Sequence, residues 1–556
     1  MSNSAHETSI PSETDSASAR KTRGRFSLID WVAVTSGTHT GWYLAAIVLL
    51  AALARIPFLG TIPNGFHFDE AISGYDAYCI LHTGADHYGD FLPVLTRNFN
   101  QYTEAFYRYL VAGSVWIFGL TVYATRLPIA VVGVLTVPLI YVFAIELFAN
   151  KRIALLIAFL LAVSPWHVHT TRIASSSMLL PFFVVVGLIC VLRGRRAPKY
   201  LVWAGLAFGV AQYTYHGARG FVPLLVFGLL LVFWSDFARH RRYALIGGFA
   251  FAAITAVLAY FWISPHGMQI WSETGMGSPD RWYFNFLHNL GPSFLFVISD
   301  STTDFLKNGP FGLMPLQYFE VFTLIAGTVV LIRTWHREMW RHEYWLVTLW
   351  ALLFSFPALF TMDGNGHLFR LSTGPLMYAT VSGYLLWQLL TWLHKQRWYV
   401  WMYVVTFAMF FSVTATGYIY FALHPRYNQE QLQFGFAEAC QAAERLNPSS
   451  VYISSQIEAA YIHTLFRTVF EPREAQRIVR SLNLPNSPQY VRNVDSVAFG
   501  RYEIAPPDRI ANVLSQNRGS VAIVPPDSVT NVLFDQSSVV TRIDYSDGQP
   551  AFFVVR

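Results

Sequence analysis

The stretch LPIAVVGVLTVPLIYVFAIELF, Leu127–Phe148, decides how the rest of the chain is read. It carries one charged residue, Glu146, and Lys151 and Arg152 follow it closely. About 20 consecutive apolar residues suffice to cross a bilayer. Basic residues in short loops stay on the cytoplasmic side. The segment therefore reads as a membrane-spanning helix whose end is marked by the Lys-Arg pair.

The remainder fits the same class. Of 556 residues, 54% are hydrophobic and 13% charged, against about 25% charged in soluble domains, and the mean hydropathy is +0.36. Aromatic residues make up 16%, as suits ring systems that sit at membrane interfaces. The net charge of +6 sits in short loops between apolar runs, so topology accounts for it. No P-loop, zinc-finger or helix-turn-helix pattern occurs, and no nucleic-acid partner is expected. Cys79, Cys190 and Cys440 form no CxxC motif. Cys79 and Cys440 are the one pair that an oxidising compartment would allow to join.

Working outward, residues 1–40 read as a disordered, basic cytoplasmic tail, with Arg20, Lys21, Arg23 and Arg25 ahead of a first span near Trp42–Phe58. The basic clusters Lys151-Arg152, Arg193/Arg195/Arg196/Lys199, Arg239/Arg241/Arg242, Arg333/Arg337/Arg341 and Lys395/Arg397 alternate with apolar runs. Placing all of them in the cytoplasm gives about eleven spans over residues 41–424. The first external loop is then about 60–125, and Tyr109–Gly119 is an external interfacial helix. Ser264 to Pro315 forms an aromatic external loop with Trp271, Trp282, Tyr283 and Phe286. Residues 425–556 have ordinary polarity. A helix over Gln429–Leu446 and strands at Val451–Ser454 and Ser520–Val524 predict a small extracytoplasmic α/β domain. The fold class expected is mostly α, a polytopic helical bundle with that domain at its C-terminal end.

The chemistry lies just after the first span, in Phe68-Asp69-Glu70. Carboxylates at such a depth are costly unless paired or used. On a helix the two acids point about 100° apart and so do separate jobs. One can take a proton from a hydroxyl or hold a metal while the other secures a neighbour. By position alone the same pair also serves to complement a helix N-terminus.

A wider set of residues narrows that choice. Arg55-x-Pro57, Pro63, Phe68-Asp69-Glu70, Tyr75-Asp-Ala-Tyr78, Gly84-Ala-Asp86, Gly89, Pro93, Tyr102 and Tyr107 occur in order. Phe118-Gly119, Arg126-Leu-Pro128, Ser164-Pro165, Thr171-Arg172-Ile-Ala174, Gly205, Gly209, Tyr213-Thr-Tyr215, Arg219 and Pro223 follow, and then Gly366-His367, Arg370-Leu371 and Pro375. The set resembles the protein O-mannosyltransferase and aminoarabinose-transferase superfamily of C-type (GT-C) membrane glycosyltransferases.

The resemblance implies a polyprenyl-phosphate sugar as donor, and transfer with inversion at the outer face of a cell inner membrane. The acceptor would be a protein, glycan or lipid. It gives Asp69 the role of base or acceptor ligand with Glu70 as helper. Arg370, His367, Arg172 and Arg55 become candidate ligands of the donor phosphate, for which the arginine fork is suited. Two departures stand out. Ser177 occupies a position where relatives carry an acid, and Thr103 stands where a lysine is common. Asp86 and Glu104 are the acids that would replace the missing carboxylate, and a divalent metal is left open. His167 and His169 would share a metal only on an extended segment. Two other readings share the same body: a transporter or flippase of lipid-linked sugars, and a scaffold of GT-C fold without catalysis.

Overall fold

The structure is a computed structural model. It describes residues 39–556 apart from 100, 264–281, 292–294, 296–308, 311, 334–341, 360–365, 428–431, 483–493, 518 and 531–533. The expected N-terminal tail, and Trp271 in the aromatic loop, lie outside the described residues.

Helix α1 (Thr40–Arg55) opens the described chain and is followed by α2 (Phe68–Thr83), the short hairpin β1 (Leu95–Asn98) and β2 (Gln101–Glu104), and α3 (Phe106–Phe118). Helix α4 (Val122–Phe148) contains the segment that decided the reading. At 1.5 Å per residue it is about 40 Å long, more than the ~30 Å hydrocarbon core. It starts five residues earlier than the apolar run because the Thr121 hydroxyl accepts from the Ala124 N–H and caps it. The chain turns at once into α5 (Lys151–Val163), capped by the Asn150 side chain. The short α6 (Pro165–Thr170), α7 (Leu179–Gly194), α8 (Tyr200–Ala211), α9 (Ala218–Val232), α10 (Trp234–Arg239) and α11 (Arg241–Ile263) continue the bundle. Beyond them come α12 (Trp282–Leu290), α13 (Tyr318–Arg333), α14 (His342–Leu353), α15 (Gly374–Lys395) and α16 (Tyr399–Tyr418).

Among the described residues, four helices are long and apolar enough to cross a membrane alone: Val122–Phe148, Ser176–Gly194, Arg241–Ile263 and Tyr399–Arg426. Shorter apolar helices at Thr40–Arg55, Tyr200–Ala211, Ala218–Val232 and Tyr344–Leu359 accompany them. The bundle core centres on buried Phe143, Trp166, Phe208 and Trp350. Where α8 crosses α11, glycine replaces side chains. A Cβ on Gly205 would lie 2.0 Å from the Gly247 carbonyl oxygen, so the two backbones touch. Small residues at such crossings let membrane helices approach closely.

The C-terminal tract folds as an α/β unit. Its sheet has six strands in the order β4 (Val497–Phe499), β5 (Tyr502–Ala505), β3 (Val451–Ser454), β6 (Val521–Val524), β8 (Pro550–Val555), β7 (Val539–Asp544). Strands β5, β3 and β6 are parallel, and the outer ones antiparallel. The helix expected from Gln429 begins only at Phe436 and forms α17 (Phe436–Arg445), preceded by Gly435 in the left-handed region. Helices α18 (Ala460–Arg467) and α19 (Pro472–Ser481) follow β3.

This tract does not stand apart from the first external loop. Phe68, Ile72, Tyr75 and Cys79 of α2 share one buried cluster with Phe436, Cys440, Ile453, Tyr461 and Phe466. Gly74 makes the approach possible, since a Cβ there would meet the Phe466 ring at 2.5 Å and the Thr125 hydroxyl at 2.7 Å. Polar clamps add to it: Tyr75 donates to the Phe470 carbonyl at 2.9 Å, Gln476 to the Asp86 carbonyl at 2.8 Å, and Arg480 to the Tyr88 carbonyl at 2.8 Å. Cys79 and Cys440 lie in this cluster as separate buried thiols, so the disulfide considered from sequence is not formed.

Adding one methyl at the α8–α11 crossing overpacks it, at a cost of about 1–3 kcal/mol. Gly205→Ala is therefore expected to lower the thermal unfolding midpoint of the detergent-solubilised protein. Gly248→Ala, which meets nothing within 4 Å, is the matched control. Equal midpoints for the two variants would contradict the crossing.

Candidate active site

His67 sits just before α2 in an extended conformation, and its Nδ1 accepts from the Asp69 N–H at 3.2 Å. Glu70 folds back to accept from the His67 N–H at 3.2 Å. The two acids thus begin as capping residues, and tertiary contacts then separate their roles.

Glu70 is buried. Its carboxylate takes Arg126 Nε at 2.7 Å and Nη2 at 2.8 Å, and the Ala174 N–H at 2.8 Å. Arg126, also buried, spends its remaining donors on the carbonyls of Leu59, Pro63 and Gly65. All five of its N–H groups are therefore matched by acceptors. Burial works to raise the Glu70 carboxyl. The Arg126 charge and hydrogen bonds, with the N–H groups of Ala174 and His67, outweigh it and hold the carboxyl below the ordinary range. Glu70 is a structural anchor that joins α2, the turn before it, α4 and the loop at Ala174.

Asp69 faces the other way. Its side chain is 50% exposed, and one oxygen accepts from Asn98 Nδ2 at 2.9 Å. Asn98 closes the β1–β2 hairpin opposite Gln101, and its own Oδ1 is buried without a partner. The other Asp69 oxygen lies 3.4 Å from His67 Nδ1, so a half-exposed carboxylate sits beside a buried, unpartnered amide oxygen.

At the other end of the hairpin, Glu104 pairs with Leu95 in register. It is buried and accepts from Arg219 Nε at 2.9 Å, with Nη2 at 2.8 Å. Arg219 opens α9 and lies over the Trp262 ring at 5.2 Å. The three residue steps from Gln101 to Glu104 span about 10 Å of strand. Around this end lie Tyr215, His216, His367 and Arg370. Burial, then the charges of Arg219, Arg370 and His367, hold the His216 imidazole well below its ordinary value, so it is neutral. Burial pushes the Tyr215 phenol up to about 12, against the pull of Arg370. Arg370 Nη1 is buried and has no hydrogen-bond partner.

The other residues singled out from sequence are placed differently. Arg172 is buried and donates to the carbonyls of Ala54, Pro57 and Ile62. Arg55 is buried and donates to the carbonyls of Ala51, Leu161 and Ala162 and to His167 Nδ1. Arg172 thus meets carbonyls at the end of α1 and its exit turn, and Arg55 ties α1 to the end of α5, with its Nε left without a hydrogen-bond partner. Asp86 is buried away from the hairpin face, with one oxygen held by the Tyr88 and Asp90 N–H groups. Burial and the neighbouring Asp76 push it up to about 6. His169 turns to Tyr420 while His167 turns to Arg55, as two residues two apart on a helix must. Ser177 is buried and bonds Ser175 at 2.9 Å. Among the described residues, no group of three or more His, Cys, Asp or Glu is placed to hold a metal ion.

Sequence reasoning missed Asn98, His216 and the buried triad of Asp76 with His87 and Arg108. It met Arg126 and Arg219 only as members of motifs. Their partners lie 56 and 115 residues away, which no local pattern reveals. An arginine beside an apolar run was the one available signal.

Residues 45–271 match the profile of the dolichyl-phosphate-mannose-protein mannosyltransferase family. That span carries the motifs from Arg55 to Pro223. The fold is similar to ArnT from Cupriavidus metallidurans, solved with undecaprenyl phosphate, at 14% identity over 93% of this chain and 98% of that one, with a TM-score of 0.49. It is also similar to the Archaeoglobus fulgidus oligosaccharyltransferase tethered with an acceptor peptide, at 14% identity and a TM-score of 0.48. There the alignment covers 78% of this chain but only 63% of the archaeal one. No curated protein sequence matches the chain.

Removing one partner of a buried ion pair costs about 3–5 kcal/mol. Glu70→Gln leaves Arg126 charged and uncompensated, and is expected to lower the unfolding midpoint sharply. The pH dependence has a definite sign. A depressed carboxyl stabilises fully above its ordinary value of 4.5 and loses that stabilisation as pH falls through its lowered folded value. The wild type should therefore lose stability below about pH 4.5 more steeply than the variant. Parallel acid limbs in the two proteins would contradict the assignment.

Proposed function

We propose that the chain is an integral-membrane glycosyltransferase. It moves a sugar from a polyprenyl-phosphate donor to an acceptor hydroxyl on the extracytoplasmic face. The observation that carries this reading is the Arg370 guanidinium, whose buried Nη1 has no partner in a cluster that also holds Arg219. Glu104 is the carboxylate that answers Arg219, which leaves one positive charge over. A buried unmatched donor is costly, and a phosphate oxygen supplies both the acceptor and the countercharge.

In this reading the donor phosphate lies against Arg370, with neutral His216 and His367 as further contacts. The sugar spans the hairpin toward Asp69, and the ~10 Å between the hairpin ends accommodates one ring and the attacking oxygen. The acceptor oxygen bonds to the anomeric carbon as the bond from that carbon to the phosphate oxygen breaks. The electron pair leaves with the phosphate, and the hydroxyl proton passes to Asp69. Attack opposite the leaving group inverts the centre. Asn98 orients Asp69 through its Nδ2 hydrogen bond. Glu70 and Arg126 hold the start of α2 in place. Arg172 and Arg55 fix the neighbouring backbone and do not touch the donor.

The same proposal covers topology. The basic clusters at the ends of α4, α7 and α15 belong to the cytoplasmic side, with about eleven crossings and the N-terminus inside. The site and the α/β unit then face outward from a cell inner membrane. Residues 41–424 form the catalytic bundle, and 425–556 brace its first loop. The family profile over residues 45–271 supports the donor class, since its members are described by a lipid-phosphate sugar.

Asp69→Asn keeps the Asn98 contact and removes the base. It is expected to lower transfer at least 100-fold while binding of polyprenyl-phosphate sugar, read by titration, stays within twofold. Arg370→Gln is expected to weaken that binding at least tenfold. A fully active Asp69→Asn variant would remove the base from the account. Unchanged donor binding in Arg370→Gln would remove the phosphate site.

A further inference from the structure

A charged cavity lies at the end of the bundle opposite the candidate site. Helices α4 and α7 both start near the candidate site and run away from it. Between their far ends and α10 is a cavity of about 300 Å³, within the size range of small-ligand pockets. Glu146, Arg195, Arg196, Asp236 and Arg239 line it, with Leu192 as part of its apolar wall.

The charges in it are not all matched. Glu146 is committed to Arg193 at 2.8 Å, and Asp236 to Arg195 at 2.9 Å. Arg196 reaches Glu146 only at 3.6 Å, and its side chain is 76% exposed. Arg239 is exposed and has no ion-pair or hydrogen-bond partner among the described residues. Four arginines (Arg193, Arg195, Arg196 and Arg239) thus face two acids at one cavity, a surplus of two positive charges, with Arg196 only sharing Glu146 at long range. The negative ends of the α4 and α7 dipoles also point here, about half a charge each, and offset only about half of that surplus.

The cavity also borders an exposed apolar surface. Leu231 and Trp234, at the α9–α10 turn, are 63% and 69% exposed, and Arg195 lies over the buried Phe233 ring at 5.5 Å. An exposed tryptophan beside arginines is the composition of a headgroup-level belt, and basic pockets between membrane helices bind anionic headgroups.

We infer that this cavity binds the phosphate headgroup of an anionic membrane lipid, held by Arg196 and Arg239, with the acyl chains lying along the Leu231–Trp234 surface. The site is separate from the transfer chemistry and does not rest on the function proposed above. Charge counting for topology explains basic residues at this end, but it requires neither a cavity nor a surplus of guanidiniums lining it.

The test uses the purified full chain in neutral detergent, with native mass spectrometry resolving each bound lipid. Phosphatidylglycerol, phosphatidylcholine and inorganic phosphate are titrated in separate arms. The expected result is at least fivefold tighter binding of phosphatidylglycerol than of phosphatidylcholine. The double variant Arg196→Gln/Arg239→Gln should abolish that preference. Arg241→Gln/Arg242→Gln, which removes the same charge outside the cavity, should keep it. All four side chains are exposed, and equal unfolding midpoints confirm that the variants fold. Equal loss in both double variants would assign the preference to net charge and overturn the site. Inorganic phosphate displacing the lipid at equal concentration would assign the cavity to a soluble phosphate compound and overturn the lipid assignment. No preference in the wild type would overturn both.

Discussion

The buried pair of Glu70 and Arg126 is the constraint on which the outer half of the structure depends. One guanidinium meets a carboxylate and three carbonyls, and the same carboxylate reaches the Ala174 and His67 N–H groups. Few arrangements satisfy so many buried polar groups at once, and an incomplete set would be destabilising. The pair therefore fixes where α2 starts and which way it points. Asp69, one residue earlier, is turned toward the hairpin as a result. A structural acid and an exposed acid arise from adjacent positions because a helix separates neighbours by about 100°.

The C-terminal tract strengthens that constraint from the other side. Helix α2 buries one flank against α4 and another against the Phe436–Tyr461–Phe466 cluster, with Gly74 removing the side chain that would keep them apart. The domain that looked separable by composition is thus part of the packing that positions the loop. Its polar clamps run to backbone carbonyls of residues 86–89, so they hold the loop's path irrespective of its side chains.

What the sequence disclosed follows from the range of each interaction. The long apolar run of α4, the basic punctuation and the strand at Val451–Ser454 are local patterns and appear close to where they were read. The first span ends at Arg55, not Phe58, because Pro57 disfavours helix at the residue before it. The antiparallel strands β4, β7 and β8 were not read from sequence: β4 and β7 pair locally with β5 and β8, and of their pairings only β6–β8 is long-range. From sequence Arg370 ranks first among the candidate phosphate ligands, with Arg172 and Arg55 kept beside it. Only the fold shows that Arg172 and Arg55 each donate to three backbone carbonyls, although Arg55 Nε remains without a partner. Glu104 was an extra acid in a loop until Arg219 met it across 115 residues.

The central claim is that Arg370 and Asp69 face one substrate from opposite ends of the β1–β2 hairpin. A structure of the protein with bound polyprenyl phosphate tests it most directly. The account predicts a phosphate oxygen at hydrogen-bond distance from Arg370 Nη1, about 2.7–3.0 Å, with open space from the phosphate toward Asp69. A phosphate bound elsewhere, with Arg370 Nη1 still unpartnered, would contradict it.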